Sequence, residues 1–195
     1  MLLLLGATML ACTSSATIKD EKKDSTAVQS TLKTISADSL ITPGKSIGQF
    51  YLRQDVEELG KLLGSADAGD AAMGKAWGIW YDQKKDEIAI YSSYADSTAV
   101  KKDIKQIRVT SSSFVTAQHL RTGGKLVDFE KDFTDAKRLA TYFDSKTKDS
   151  ILIFDSRENG IGVEVVNNLI RAITVHPKGT AVNETYLSLH PEWKL

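Results

Sequence analysis

Residues 43–64, PGKSIGQFYLRQDVEELGKLLG, have a gapless counterpart 80 positions on, GGKLVDFEKDFTDAKRLATYFD at 123–144. Gly44 and Lys45 fall on Gly124 and Lys125, Asp55 on Asp135, Leu59 on Leu139 and Leu63 on Phe143. A repeat longer than any one secondary element marks a duplicated supersecondary unit, so the chain is expected to hold one architectural module twice.

The module can be read in the first copy. Leu52, Val56, Leu59 and Leu63 form one stripe of an amphipathic helix, and Gly64 stands where a left-handed residue would end it. SADAGDAAMGK at 65–75 is crowded with Gly, Ala and Asp and reads as a loop. Strands are predicted at 77–82, 87–94 and 104–111, where Ile, Val, Tyr and Trp concentrate, with a polar turn at Lys84-Lys85-Asp86. In the second copy the helix is placed at 134–143, with Ala136, Leu139 and Phe143 inward. Ile79 to Asp82 then match Leu152 to Asp155, and Ile88 and Ile90 match Ile161 and Val163, at an offset of 73. Ile104, Ile107 and Val109 match Ile170, Ile173 and Val175 at an offset of 66. Offsets that change only between strands are what loop deletions leave behind. The predicted fold is α+β: two tandem helix-plus-antiparallel-sheet repeats, at 41–112 and 113–177, forming a shared or adjacent concave sheet. The tail at 178–195 either folds back over a sheet edge or frays.

Residues 1–11, MLLLLGATMLA, are too short an apolar run to cross a bilayer as a helix, which takes about 20 residues. They fit the apolar region of a secretory signal. Met9-Leu10-Ala11-Cys12 resembles the lipobox of bacterial lipoproteins, which implies that Cys12 is acylated and becomes the mature N-terminus. Several acyl chains on one residue anchor stably where a single chain would not. Cys12 is the only cysteine, so no intramolecular disulfide forms, and residues 12–40, rich in Ser, Thr, Lys and Asp, read as lipidated cysteine plus flexible tether. The expected location is the bacterial envelope, as an outer-membrane lipoprotein held by its lipid anchor only. Lys and Arg number 25 against 25 Asp and Glu, which removes the electrostatic reason to expect a nucleic-acid partner.

A turn GKSIG at 44–48, a helix ending Leu-Leu-Gly and antiparallel strands, twice over, resemble the tandem-repeat fold of the β-lactamase inhibitor protein. The SmpA/OmlA small outer-membrane lipoproteins are similar, with one such unit. The resemblance implies two units side by side whose concave sheet surface grips a protein partner. No contact residue carries over, so it implies an architecture and a style of function without a target.

Chemistry has little support. Gly44-Lys45-Ser46 ends like a phosphate-binding P-loop, but Ser39 stands where that motif needs its first glycine. His119, His176 and His190 share no metal-ligand spacing, and His176 reads as a surface residue at a strand end. Ser111-Ser112-Ser113 lacks the glycine frame of a nucleophile elbow. Neither an enzyme, a cofactor nor a metal is expected. The aromatics are more informative. If Trp77, Ile79 and Tyr81 point at the helix, alternation sends Trp80 to the opposite face, with Tyr91 and Arg108. Those three are the residue types that dominate protein-binding hot spots, and are the predicted partner-binding residues. The opposite register would bury Trp80. The expected function is a non-catalytic accessory or inhibitor-like module that binds an envelope protein through the open sheet face. The alternative is a small-molecule or glycan binder, or a hydrolase, using the cleft between the repeats.

Overall fold

Asp55 is the residue from which the first half is built. In the computed structural model, which describes residues 36–98, 100–182, 190 and 192–194, its backbone is extended and its carboxylate accepts the Glu57 N–H at 2.9 Å. This caps helix α1 (Val56–Leu63), whose first turn carries Glu57 and Glu58 where the helix dipole favours negative charge. Gly64, at φ +70°, ends it. The signal and Cys12 assignments lie outside the described residues. So does the tether assignment up to residue 35; from there Ser36 caps a 3-10 turn at Ala37–Ser39, and Leu40 begins a strand.

Ahead of α1, three short strands, β1 (Leu40–Thr42), β2 (Ser46–Ile47) and β3 (Phe50–Tyr51), form a small sheet in the order β3-β2-β1-β8. The strand β8 (Val115–Thr116) lies parallel to β1. After α1 the chain runs as an antiparallel meander: β4 (Ala68–Ala72), β5 (Lys75–Tyr81), β6 (Glu87–Tyr94) and β7 (Lys102–Val109). Helix α2 (Leu126–Asp132) opens a second meander, β9 (Lys137–Asp144), β10 (Ser150–Ser156), β11 (Ile161–Val166) and β12 (Leu169–Val175). β7 and β12 pair antiparallel, so both meanders belong to one sheet, ordered β13-β9-β10-β11-β12-β7-β6-β5-β4, with β13 (Trp193–Lys194) on the β9 edge. The fold is α+β.

A single apolar core fills the space between this sheet and the helices. Ile90, Ile107 and Val109 from one meander and Val163, Ile173 and Val175 from the other meet Leu59 of α1 and Phe129 of α2. All are effectively withdrawn from water, at about 1.5–3 kcal/mol per side chain. Among the described residues no helix is long and apolar enough to cross a membrane.

Two sequence expectations are corrected here. Residues 134–143 do not form the second helix. Residues 137–144 are strand β9, paired with β10 over six positions, and α2 lies ahead of them. The helical propensity of Ala136 to Ala140 yields to the hydrogen-bond ladder of a neighbouring strand. Alignment at an offset of 80 therefore sets α1 against a strand and fails. Residues 65–75 are not all loop: β4 forms there, fully exposed, as the outermost strand on the flank of β5. Its Ala-Gly-Asp composition carries no strand signal, because the pairing of β5 supplies the order.

Candidate functional site

The face of the sheet turned away from the helices is where the sequence places a binding surface, and cross-strand pairing fixes what lies on it. Trp77 stands opposite Tyr91, Ile79 opposite Ala89, Arg108 opposite Ala89 and Thr174, and Ile153 opposite Glu164. Trp80 stands opposite Ile88 on the other face and packs into the helix-side core. Its Nε1 donates to the Gly64 carbonyl at 3.3 Å. The expected register of β5 is thus reversed. The cause is Gly78, two residues earlier on the same face, where a Cβ would come within 2.6 Å of the Trp80 ring. The indole folds into the space that glycine leaves.

Tyr91 faces outward as predicted, yet it is only 9% exposed, with its ring 5.2 Å from that of Trp77. Arg108 also lies on the predicted face, and it is 1% exposed. The guanidinium reaches across β12: Nε donates to Glu164 Oε1 at 2.5 Å and Nη2 to Oε2 at 2.8 Å. Nη1 donates to Glu87 Oε2 at 2.5 Å. Burial alone would raise the Glu164 carboxyl; the Arg108 charge and its paired hydrogen bonds outweigh this and hold it below the ordinary glutamate value. The predicted hot-spot arginine is an internal cation, committed to two carboxylates of its own chain.

The tail decides how much of this face is open. After β12, Val182 packs down on Gly162, where a Cβ would meet Val182 Cγ1 at 2.9 Å. Its N–H donates to Asp155 Oδ2 at 3.3 Å. Asp155 Oδ1 lies 2.8 Å from His176 Nε2, and the other ring nitrogen, Nδ1, lies 3.1 Å from the Pro177 carbonyl oxygen. His176 is therefore not the surface residue predicted from its place before Pro177. It is buried, and with Asp155 it secures the start of the strap. At the other end His190 stacks on Trp193, centroids 3.9 Å apart and planes 8° off parallel. Trp193 packs on Tyr142 and, with Ile151, Ile153 and Val182, forms a second apolar cluster on the outer face. His190 Nε2 lies 4.0 Å from Glu164 Oε1, and Nδ1 3.5 Å from Glu192 Oε1. Burial lowers the His190 pKa, with Glu164 and Glu192 pulling the other way and Arg108 reinforcing the fall.

The outer face thus divides. Over β9–β11 Val182 and Trp193, two residues from the C-terminal strap, pack onto it; over β5–β6 it carries the Trp77–Tyr91 pair and, at its rim, Tyr81, 40% exposed. Pairing by chain sequence could not reveal that β11 supplies Glu164 to β7. Asp155 lies in a strand recognised at sequence level and His176 just after one, but only the sheet order β10-β11-β12 brings them together. Among the described residues no group of three or more His, Cys, Asp or Glu is placed to hold a metal ion. The chain matches no protein-family model, and no curated protein or solved structure is detectably similar to it.

Proposed function

We propose that this chain is a lipid-anchored envelope protein acting without catalysis as a protein-binding module. It carries two copies of one helix-plus-meander unit in the manner of the β-lactamase inhibitor protein. Duplication is supported by equivalent contacts in the two halves. The offset of 66 that relates Ile107 and Val109 to Ile173 and Val175 also relates Arg108 to Thr174, the pair at the centre of the β7–β12 seam. The residues that cap the two helices, Asp55 and Lys125, each bridge to the last strand of their own half, at Asp103 and Leu169, which are again 66 apart.

The docking surface in this reading is the outer sheet face, and the observation that carries it is the strap. The chain's own C-terminal residues already bind that face, adding the two-residue strand β13 at the β9 edge and seating Val182 and Trp193 in apolar sites. Strand addition with alternate side chains in pockets is a recurrent way for a sheet to take a foreign chain. The partner binds the half the strap leaves, around Tyr81, Ile79 and Tyr91.

The test is site-specific photo-crosslinking in intact cells, with the photoreactive residue at Tyr81 on the outer face or at Leu62 on exposed α1. A discrete protein adduct from Tyr81 and none from Leu62 is expected. Equal labelling at both, or no protein adduct together with saturable heat-stabilisation by a sugar or metabolite, would sink the docking reading in favour of a small-ligand binder.

A further inference from the structure

Away from the outer face, the β1–β2 turn, the end of β3 and the residues after β12 enclose an open cleft of about 400 Å³. Lys45, Arg53 and Lys178 line it with Gly44, Tyr51, Leu52 and Pro177, and no acidic side chain does. None of the three cations makes an ion pair among the described residues, in a chain whose charges balance. Three cations on the wall of one cleft give it a positive potential, screened by water because all three are exposed, that favours an anion seated among them.

The main chain beneath each exposed cation is held in place. The Lys178 stem lies against Gly44, where a Cβ would come within 2.8 Å of its Cγ and 2.9 Å of its Cε. Gly44 is itself pinned, its N–H donating to Gly160 O at 3.0 Å. Lys45 donates to Thr42 O at 3.0 Å and accepts from Leu52 N–H at 2.9 Å. Arg53 is the most telling. It sits at φ +67°, in the left-handed region that an arginine avoids and a glycine enters freely. The second half contains the same local structure. Arg53 N–H donates to Ile104 O while Ile104 N–H donates to Gln54 O; Gly123 N–H donates to Ile170 O while Ile170 N–H donates to Gly124 O. The residue at the Arg53 position in that copy is Gly123, at φ +80°. Backbone geometry calls for glycine at this site, and the half that forms the cleft holds an arginine in it under strain. An arginine where the matching position holds glycine points to a role for its side chain.

We propose that this cleft is a binding site for a phosphate-bearing anion. Arg53 supplies a planar fork, Lys45 and Lys178 supply point charges, and Tyr51, 48% exposed, offers its ring to the organic group beside the phosphate. Two sources present such a phosphate, a phospholipid headgroup and a soluble phosphate ester, and the chemistry recognised is the same. The site stands apart from the docking face and does not depend on it.

The experiment uses the full chain carrying Cys12→Ser, so that no acyl group contributes to vesicle binding. Binding is followed by calorimetry and thermal midpoint with inorganic phosphate against chloride at equal ionic strength. A second arm measures sedimentation with phosphatidic acid against phosphatidylcholine vesicles. Phosphate is expected to raise the midpoint, or phosphatidic acid vesicles to capture the protein selectively; the first outcome points to a soluble ester and the second alone to a headgroup. Arg53→Gly should weaken binding about tenfold or more, the loss of one charge-assisted hydrogen-bonding group, while raising the ligand-free midpoint above wild type. Lys178→Gln, at an exposed residue, should weaken binding without lowering the midpoint. Absence of binding in both arms, chloride acting as well as phosphate, or Arg53→Gly binding as tightly as wild type would each overturn the proposal.

Discussion

Arg108 is a charge that cannot be removed alone. Its two carboxylate partners are Glu164, wholly buried, and Glu87, partly so. Removing one member of a buried pair strands the other in a medium that cannot solvate it, at a cost of about 3–5 kcal/mol. Arg108→Met and Glu164→Leu are each expected to lose about that much in chemical denaturation, while the double variant loses distinctly less than the two combined. Additive losses would mean that the pair contributes no coupling. The pH dependence has a definite sign. The folded-state carboxyl of Glu164 lies below its unfolded value, so its stabilisation is complete above the unfolded value of about 4.3 and is lost as pH falls through the folded one. Glu164→Gln should flatten that part of the acid limb. Alternation along β7 put Arg108 on the correct face from sequence alone. What remained illegible was its partner, 56 residues away on a strand whose neighbour in the sheet no local pattern specifies. The placement of Trp80 has a more local reason: Trp77 and Trp80 alternate to opposite faces of β5, and Gly78 leaves the room beside Trp80 that a larger residue would take.

At the scale of elements, strands of dense Ile, Val and aromatic residues were legible and the weakly patterned ones were not. β9 shows why. Leu139 and Phe143 are four apart, a spacing that shares a face in a helix and in a strand alike, so the pair cannot tell one from the other. The strap is the element with the most to test. Folding lowers the His190 pKa, so the native state binds fewer protons than the unfolded chain below the ordinary histidine value of about 6.5. The contribution is present in full above that value and declines as pH falls below it. Hydrogen exchange of the β9 and β13 amides is therefore expected to quicken between pH 7 and 5 relative to β6 and β7. His190→Phe, which keeps the stack on Trp193, should remove the difference. Gly162→Val, which refills the site of Val182, should give fast exchange at β13 at every pH. Unchanged exchange in Gly162→Val would mean that Val182 does not seat the strap.

For the molecule as a whole, the question is whether two similar halves behave as two domains or one. The described residues belong to a single compact unit, and its core draws from both meanders on the same footing. The seam between β7 and β12 pairs Ile107 with Val175 and Val109 with Ile173, four side chains that lie at the centre of that core. Arg108 ties the halves again on the other face, through Glu164. Cutting the chain between the halves would expose those isoleucines and valines at about 25 cal/mol per Å² of apolar surface, and leave Arg108 and Glu164 without each other. An offset of 66 between similar strands is legible in the sequence, but the sequence could not say that the two halves share one core. Equilibrium denaturation of the full chain is therefore expected to show one transition. Near-ultraviolet signals from Trp77 and Trp80 in the first half should change together with far-ultraviolet ellipticity and with backbone exchange in β10 and β11 of the second. Neither 36–112 nor 113–195 expressed alone should give a cooperative transition. If the second half melted separately, or folded unaided, the shared core would be a contact between domains, and the Arg108 substitutions would lower only the stability of that contact.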